Sequence, residues 1–411
     1  MKTLRYLFVI ASILAAFSAN GQEKKIQQVW GKLKHGKGLA FTSRDSSMHL
    51  KIGFRFQTKF ETSGGLNGDQ DWKSNFVIRR ARLKFDGWAF SPKLVYKVEL
   101  AFAPDDLKAT KDYKEAGGAA KVILDAALKW KFHKNFALWV GQTKLPGNRQ
   151  RLVSSQKLQL VDRGLVNSIF NIDRDIGLQL HSNFKLGNAV IRPIVAIAKG
   201  EGRNIISSNL GGFSYTGKVE ILPMGKFTGK GDYFESDLKR EPKPKLSIAG
   251  AFNYNDRGGR EKATGVFLTD TNGTYLNRGV YTAFADILFK YKGFSLFTEF
   301  AMKDYLFQNG ETVESIGSEI VDADGKTYLT GHGVLVQAGY LFKHNIELAG
   351  RFTNVTPSWK GSFDGLREYT LGLSKYVVGH SLKIQTDITL VDKFDSPDPT
   401  LRYRLQVELG F

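Results

Sequence analysis

The last eleven residues, Leu401 to Phe411, place the tightest constraint on the fold. Leu401, Tyr403, Leu405, Val407, Leu409 and Phe411 are apolar, and Arg402, Arg404, Gln406, Glu408 and Gly410 between them are polar or glycine. Side chains alternate across a strand with period two, so one face is greasy and the other wet right up to the carboxylate. The closing strand of a transmembrane β-barrel has this requirement, with lipid on one side and an aqueous lumen on the other.

The same alternation recurs along the chain. Leu50, Ile52, Phe54, Phe56 and Phe60 oppose Lys51, Gly53, Arg55, Gln57 and Lys59; Ala81, Leu83 and Phe85 oppose Arg80, Arg82, Lys84 and Asp86. Leu94, Tyr96, Val98, Leu100 and Phe102 oppose Lys93, Lys97 and Glu99. Val122, Leu124, Ala126, Leu128, Trp130 and Phe132 oppose Lys121, Asp125, Lys129 and Lys131. Comparable runs lie at 246–254, 281–291, 346–352 and 382–390. No long segment has a helical period; 107–120 has room for a helical turn or two.

Very short links (Ser91-Pro92, 133–135, Leu186-Gly187, Lys292-Gly293, Lys343-His344, Gly379-His380) alternate with longer ones (61–75, 104–120, 144–175, 255–277, 303–331, 392–400). Short periplasmic turns and long extracellular loops are the expected sidedness of such a barrel. The exception is 224–243, a long stretch where a short turn is due. The expectation is an all-β, antiparallel transmembrane barrel over 48–411 with about sixteen strands and both termini in the periplasm. Eighteen strands is the alternative, because 191–198 and 213–221 alternate poorly.

Residues 1–21 read as a signal peptide. Lys2 and Arg5 precede an apolar run from Tyr6 to Phe17, and Ser18-Ala19-Asn20-Gly21 supplies small residues for cleavage. Residues 22–47 form a polar, basic N-terminal extension. No stretch reaches the ~18 apolar residues of a membrane-spanning helix. The chain has no cysteine, which excludes disulfides and thiolate chemistry. Its net charge is +19, from 59 Lys and Arg against 40 Asp and Glu. Such an excess calls for anionic partners, and an exported barrel meets lipid and small anions rather than nucleic acid.

Much of that charge falls on the inner face. Lys51, Arg55, Lys59, Arg80, Arg82, Lys84, Lys97, Lys129 and Lys131 are expected to point into the lumen as an anion pathway, because cation ladders lower the barrier for anions. The link from Lys144 to Asp175 carries Lys144, Arg149, Arg151, Lys157, Arg163 and Arg174. A link of about thirty residues is usually functional, and arginine's planar fork matches oxyanions. It is expected to fold inward as a constriction.

Three groups of residues resemble the phosphate-selective porin O/P family. The first is Val140-Gly141-Gln142-Thr143-Lys144-Leu145-Pro146, with Ser154-Ser155, Val161-Asp162-Arg163 and Arg174-Asp175-Ile176-Gly177. The second is Phe76-Val77-Ile78-Arg79-Arg80-Ala81-Arg82-Leu83. The third is Tyr215-Thr216-Gly217-Lys218-Val219 with Pro223. The resemblance spans roughly Leu50 to Phe411. It implies a trimeric, sixteen-stranded outer-membrane porin passing phosphate or related anions along arginines and lysines. Leu145-Pro146-Gly147-Asn148 departs from the family's usual aromatic and serine after the proline.

His181 shares an inner face with Gln179 and Asn183, but no Ser-His-Asp or metal-ligand spacing accompanies it. Trp88, Phe90, Trp130, Phe132, Phe289, Tyr291, Tyr340 and Phe342 lie beside short turns, where an interfacial girdle belongs. The reading is a passive, anion-preferring porin without cofactor, metal or catalytic residues. The alternative is a barrel-borne hydrolase or a surface binding protein with a plugged lumen.

Overall fold

The computed structural model describes residues 38–68, 71–107, 121–206, 210–306, 322, 324–359 and 361–411; the expected signal peptide and most of the N-terminal extension lie outside them. The sheet contains eighteen strand segments. Leu39–Thr42 is a short strand paired with the first residues of the next one. Phe184–Leu186 continues the strand before it, and both pair with the same neighbour. Sixteen wall strands remain.

These are β1 Met48–Gly65, β2 Lys73–Ala89, β3 Ser91–Ala101, β4 Ile123–His133, β5 Phe136–Lys144, β6 Arg174–Ser182 with its continuation, β7 Ala189–Ala198 and β8 Ser214–Leu222. The second half has β9 Lys245–Gly258, β10 Arg278–Tyr291, β11 Phe294–Tyr305, β12 Gly331–Phe342, β13 Ile346–Pro357, β14 Leu366–Val378, β15 Leu382–Lys393 and β16 Thr400–Gly410. Each pairs antiparallel with the next, and β16 pairs with β1 to close the ring. The two poorly alternating stretches are β7 and β8, single wall strands that fix the count at sixteen. Pro193 sits in β7 without breaking the wall, because the break in β6 at Asn183 falls in its register gap.

The terminal strand follows its pattern. Tyr403, Leu405, Val407 and Leu409 are 37–38% exposed, whereas Arg404, Gln406 and Glu408 are at most 4% exposed. Apolar outside and polar inside is the inverse of a soluble protein. No helix among the described residues is long and apolar enough to cross a membrane; the strands do the crossing. At the seam, Phe411 and Phe54 exchange backbone hydrogen bonds of 2.9 and 3.0 Å, and Arg55 and Gln57 of β1 reach Glu408 of β16 inside.

Two bulges shift the inner face away from simple alternation. One between Gln57 and Thr58 on the β1 side leaves Arg79 without a register partner, so Arg79 and Arg80 both reach Asp162 inside. The other, opposite Glu99 and Leu100, buries Leu124 and exposes Ile123 instead. That corrects the expected outward Leu124.

The interior is not uniformly wet. Phe284 and Leu288 of β10, Phe297 and Ala301 of β11, Leu335 of β12 and Val355 of β13 turn inward. They form one apolar cluster with Val166, Ile169, Phe170, Leu222 and Phe227. Two inward-folded segments, residues 145–173 and 223–244, make this possible by covering wall residues that would otherwise meet water.

Candidate functional site

Lys144 and Arg174 are register partners on adjacent strands, so segment 145–173 leaves and re-enters the wall at one point. It comes from the long-loop, extracellular end and crosses the lumen. Arg149, 1% exposed, forms a salt bridge with Asp286 and donates to the Ser247 hydroxyl at 2.8 Å and the Asp232 carbonyl at 2.9 Å. The Gln150 N–H donates to Glu299 at 2.9 Å, and the Val161 N–H to Asp387 at 3.0 Å. Lys383 reaches the Leu158 carbonyl at 3.1 Å, and Arg351 the Asp162 carbonyl at 2.8 Å. The helix Leu165–Phe170 seats its apolar face on the inner cluster. Nearly every turn of the segment is therefore tied to a different wall strand.

The constriction candidates divide by role. Lys144 donates to the carbonyls of Arg151, Leu152 and Val153 at 2.6, 3.1 and 3.3 Å, closing the C-terminal end of the helix Arg149–Leu152. Arg163 donates to the Gln150 and Val153 carbonyls at 2.8 and 2.7 Å. Arg151 pairs with Asp173, and Arg174 with Asp125 at 3.2 Å. Arg149 anchors the root. Lys157 alone of the six rests on an aromatic ring, its Nζ 3.8 Å from the centroid of Phe234.

The wall candidates form a ladder on β1 to β4. Lys51 faces Asp86, Gly53 faces Lys84, Arg55 faces Arg82, and Gln57 faces Arg80 in register. Toward the extracellular side, Lys59, Arg79 and Arg80 converge on Asp162 at 3.3, 3.3 and 3.1 Å. Burial would raise that carboxyl, but Arg79, Arg80 and Lys59 together hold it well below the ordinary carboxylate range. Arg82 grips Asp106 with two bonds of 2.8 and 2.7 Å and also reaches Glu99. Against the burial that would raise it, this grip brings the Asp106 carboxyl down to about 2. Lys97 bridges Asp125 and Glu99. Lys131 lies exposed at the periplasmic end of β4 and does not line the cavity below the constriction.

That cavity, about 800 Å³, occupies the periplasmic half of the lumen beside β1 to β7. Fourteen lysines and arginines line it against three acidic side chains, Asp86, Glu99 and Asp232. Several of the cations have no carboxylate in salt-bridge range among the described residues, including Lys51, Lys129, Lys157, Lys226 and Lys230. Lys129 lies 3.3 Å above the Trp139 ring, whose other neighbour is His181, stacked at 3.8 Å. An ammonium on a ring face keeps its charge uncompensated and some N–H donors free. Sequence reasoning missed Trp139, since Phe136 to Val140 is apolar on both faces. His181 hydrogen-bonds Gln179 at 3.0 Å and contacts Trp139; no His/Asp/Glu cluster among the described residues is arranged to hold a metal. Trp88 faces inward at the periplasmic rim, stacked 4.3 Å from His49.

Comparison with known proteins agrees with the architecture. The outer-membrane channel DcaP of Acinetobacter baumannii superposes with a TM-score of 0.54 at 15% identity, over 90% of this chain and 99% of that one. An anion-selective porin from Comamonas acidovorans gives 0.52 at 9% identity, over 88% and 99%. These likenesses establish the fold, that of an outer-membrane porin. A protein of Aquifex aeolicus (strain VF5) described only as uncharacterized is 23% identical over 394 residues, 88% of this chain and 87% of that protein. Residues 50–192 match the model of the family described as phosphate-selective porin O and P, so the family resemblance read from the sequence holds over β1 to the start of β7, the part of the wall that carries the basic cavity.

Proposed function

We propose that this protein is a passive outer-membrane porin whose passage prefers anions, phosphate and related oxyanions among them. The observation that supports this reading best is the cavity lining, fourteen cations against three acids, with lysines seated on rings instead of carboxylates. In a low-dielectric tube narrowed by an inward segment, with a Debye length of ~8 Å, such charge is incompletely screened. Binding spread over several weak sites lets an anion enter and leave. No covalent chemistry is called for, and His181 serves as a polar lumen residue. Export by the N-terminal signal peptide and assembly as a homotrimer complete the proposal.

The test is planar-bilayer recording of the purified barrel across a potassium chloride gradient. Reversal potentials are expected to favour chloride over potassium, and added phosphate to reduce the chloride current by competing for the same cations. Cation-favouring potentials would reject the electrostatic argument. A folded protein that conducts nothing would leave the plugged-lumen binding protein as the better reading, which the two inward segments favour.

A pH dependence follows from Lys157. Burial, with Lys84, Lys230 and Lys51 adding repulsion, pushes its ammonium down to about 8. The group is cationic below that value and neutral above it. Anion preference is therefore expected to fall as pH rises from 7 to 9, and Lys157→Arg to flatten the fall. A preference that rises over this window, or one unchanged in wild type, would remove Lys157 from the path.

A further inference from the structure

Segment 223–244 is anomalous for a transmembrane barrel. It joins β8 to β9 at the end where the other hairpins turn tightly, yet it folds upward into the lumen. Lys290 of β10 donates to the carbonyls of Gly231, Phe234 and Ser236 at 2.9, 2.8 and 2.8 Å, a three-point clasp on its central turn. Arg240 extends to the Leu341 and Phe342 carbonyls at the neighbouring β12 rim. Glu241 closes the segment on Thr228, and Phe227 plugs into the apolar cluster. A surface turn would need none of these contacts.

Its inner tip meets the extracellular constriction. Glu235, 3% exposed, accepts from the Gln159 N–H at 2.9 Å and the Gln150 side chain at 3.2 Å, and its own N–H donates to the Lys157 carbonyl at 3.2 Å. Phe234 carries the Lys157 ammonium. The two segments, entering from opposite membrane faces, thus join inside the barrel. Together with the apolar cluster they fill the side lined by β9 to β13. The cavity of about 800 Å³ lies on the β1 to β7 side, and Lys226 and Lys230 border it from below.

We propose that residues 224–243 form a second constriction, built from the periplasmic side, which confines the passage to the β1–β7 wall and sets its selectivity by holding Lys157 in place and adding Lys226 and Lys230 to the path. This rests on the porin reading above. Residues of the segment act in two ways. Phe234 and Glu235 are positioning residues that act through Lys157, whereas Lys230 meets the permeating anion itself.

The chain has no native cysteine, so a single introduced thiol reports cleanly. Lys230→Cys and, as a control at another periplasmic turn, Lys343→Cys are recorded in bilayers before and after addition of an anionic methanethiosulfonate to each side in turn. Modification at 230 is expected to cut the chloride current by about half or more and to shift the reversal potential toward potassium; modification at 343 leaves both unchanged. Phe234→Ala combined with Glu235→Gln, whose amide oxygen still accepts from Gln337 of β12, is expected to lower anion preference while raising conductance. Joining Met224 to Lys243 through a Gly-Asn turn should raise conductance about twofold or more, with folding checked by heat-modifiable electrophoretic mobility. Should wild type conduct nothing, the porin reading fails. Should wild type conduct with anion preference while 230 modification and the Phe234/Glu235 variant match it, the second constriction alone is refuted.

Discussion

Replacing Arg149 by alanine is expected to unseat the constriction and to destabilise the barrel more than any other single change in the lumen. Arg149, Lys218 and Arg192 balance Asp286, Glu220 and Asp232 in one buried network. Removing one cation leaves a net buried negative charge and deprives the Ser247 hydroxyl and the Asp232 carbonyl of their donor. Breaking a buried pair in this way costs about 3–5 kcal/mol. The cost falls on the root of segment 145–173, so the segment should detach before the wall opens. Arg149→Ala should therefore show a lower unfolding midpoint in detergent together with a larger, noisier conductance. Arg149→Met with Asp286→Leu, which removes charge in balance, should recover much of both. Wild-type conductance and midpoint in the alanine variant would show that the wall alone holds the segment. The sequence marked Arg149 as a cation of the constriction link; the structure makes it a pin.

Asp162→Asn is expected to have the largest effect on selectivity. Lys59, Arg79 and Arg80 converge on this carboxylate at the extracellular side of the constriction, Lys59 pairing also with Glu61 at 2.8 Å. The amide keeps the shape, and the main-chain anchors at Val161 and the Asp162 carbonyl are untouched. Local charge rises by one unit. For an anion ~5 Å away that is worth about 1–3 kcal/mol across effective dielectric constants of 80 to 20. Phosphate should then block the chloride current at roughly tenfold lower concentration, since 1.4 kcal/mol is a factor of ten in binding. The readout is chloride conductance against phosphate concentration. An unchanged blocking concentration would mean that anions do not reach these three cations.

The wall was legible because its code is binary. Strands such as Tyr281 to Tyr291 and Leu401 to Gly410 carry the period that a lipid-and-water interface imposes, and turn lengths supply the sidedness. The inward path of 145–173 was legible as well, since a link of about thirty residues is usually functional and this one is rich in arginine and lysine. Three features were not. Bulges such as the one at Arg79 depend on the neighbouring ladder, which a single strand does not encode. Strands facing packed segments lose the polar half of their pattern: Val334-Leu335-Val336 is apolar throughout because Leu335 meets the Leu165–Phe170 helix instead of water. Segment 224–243 was visible as too long for its place, but its direction depends on Lys290, whose clasp no local pattern announces. Among the cations, charge was readable and its use was not. Lys144, Arg149 and Arg163 spend theirs on carbonyls and buried acids, whereas Lys129 and Lys157 keep theirs available on rings.

The seam between β1 and β16 bears on how the molecule assembles. Arg55 and Glu408 meet across 353 positions of chain. Bringing ends that far apart together costs about 5 kcal/mol of loop-closure entropy, which local contacts cannot offset. Every other wall pairing links consecutive strands, so a growing sheet can zip cheaply from hairpin to hairpin and still remain an open ribbon. The ring locks only when the final hairpin arrives, and the Glu408 carboxylate, which Lys383 already meets within that hairpin, gains Arg55 and Gln57 only at that last step. Completion of this cylinder is therefore an all-or-none event, timed by the arrival of β16 at β1.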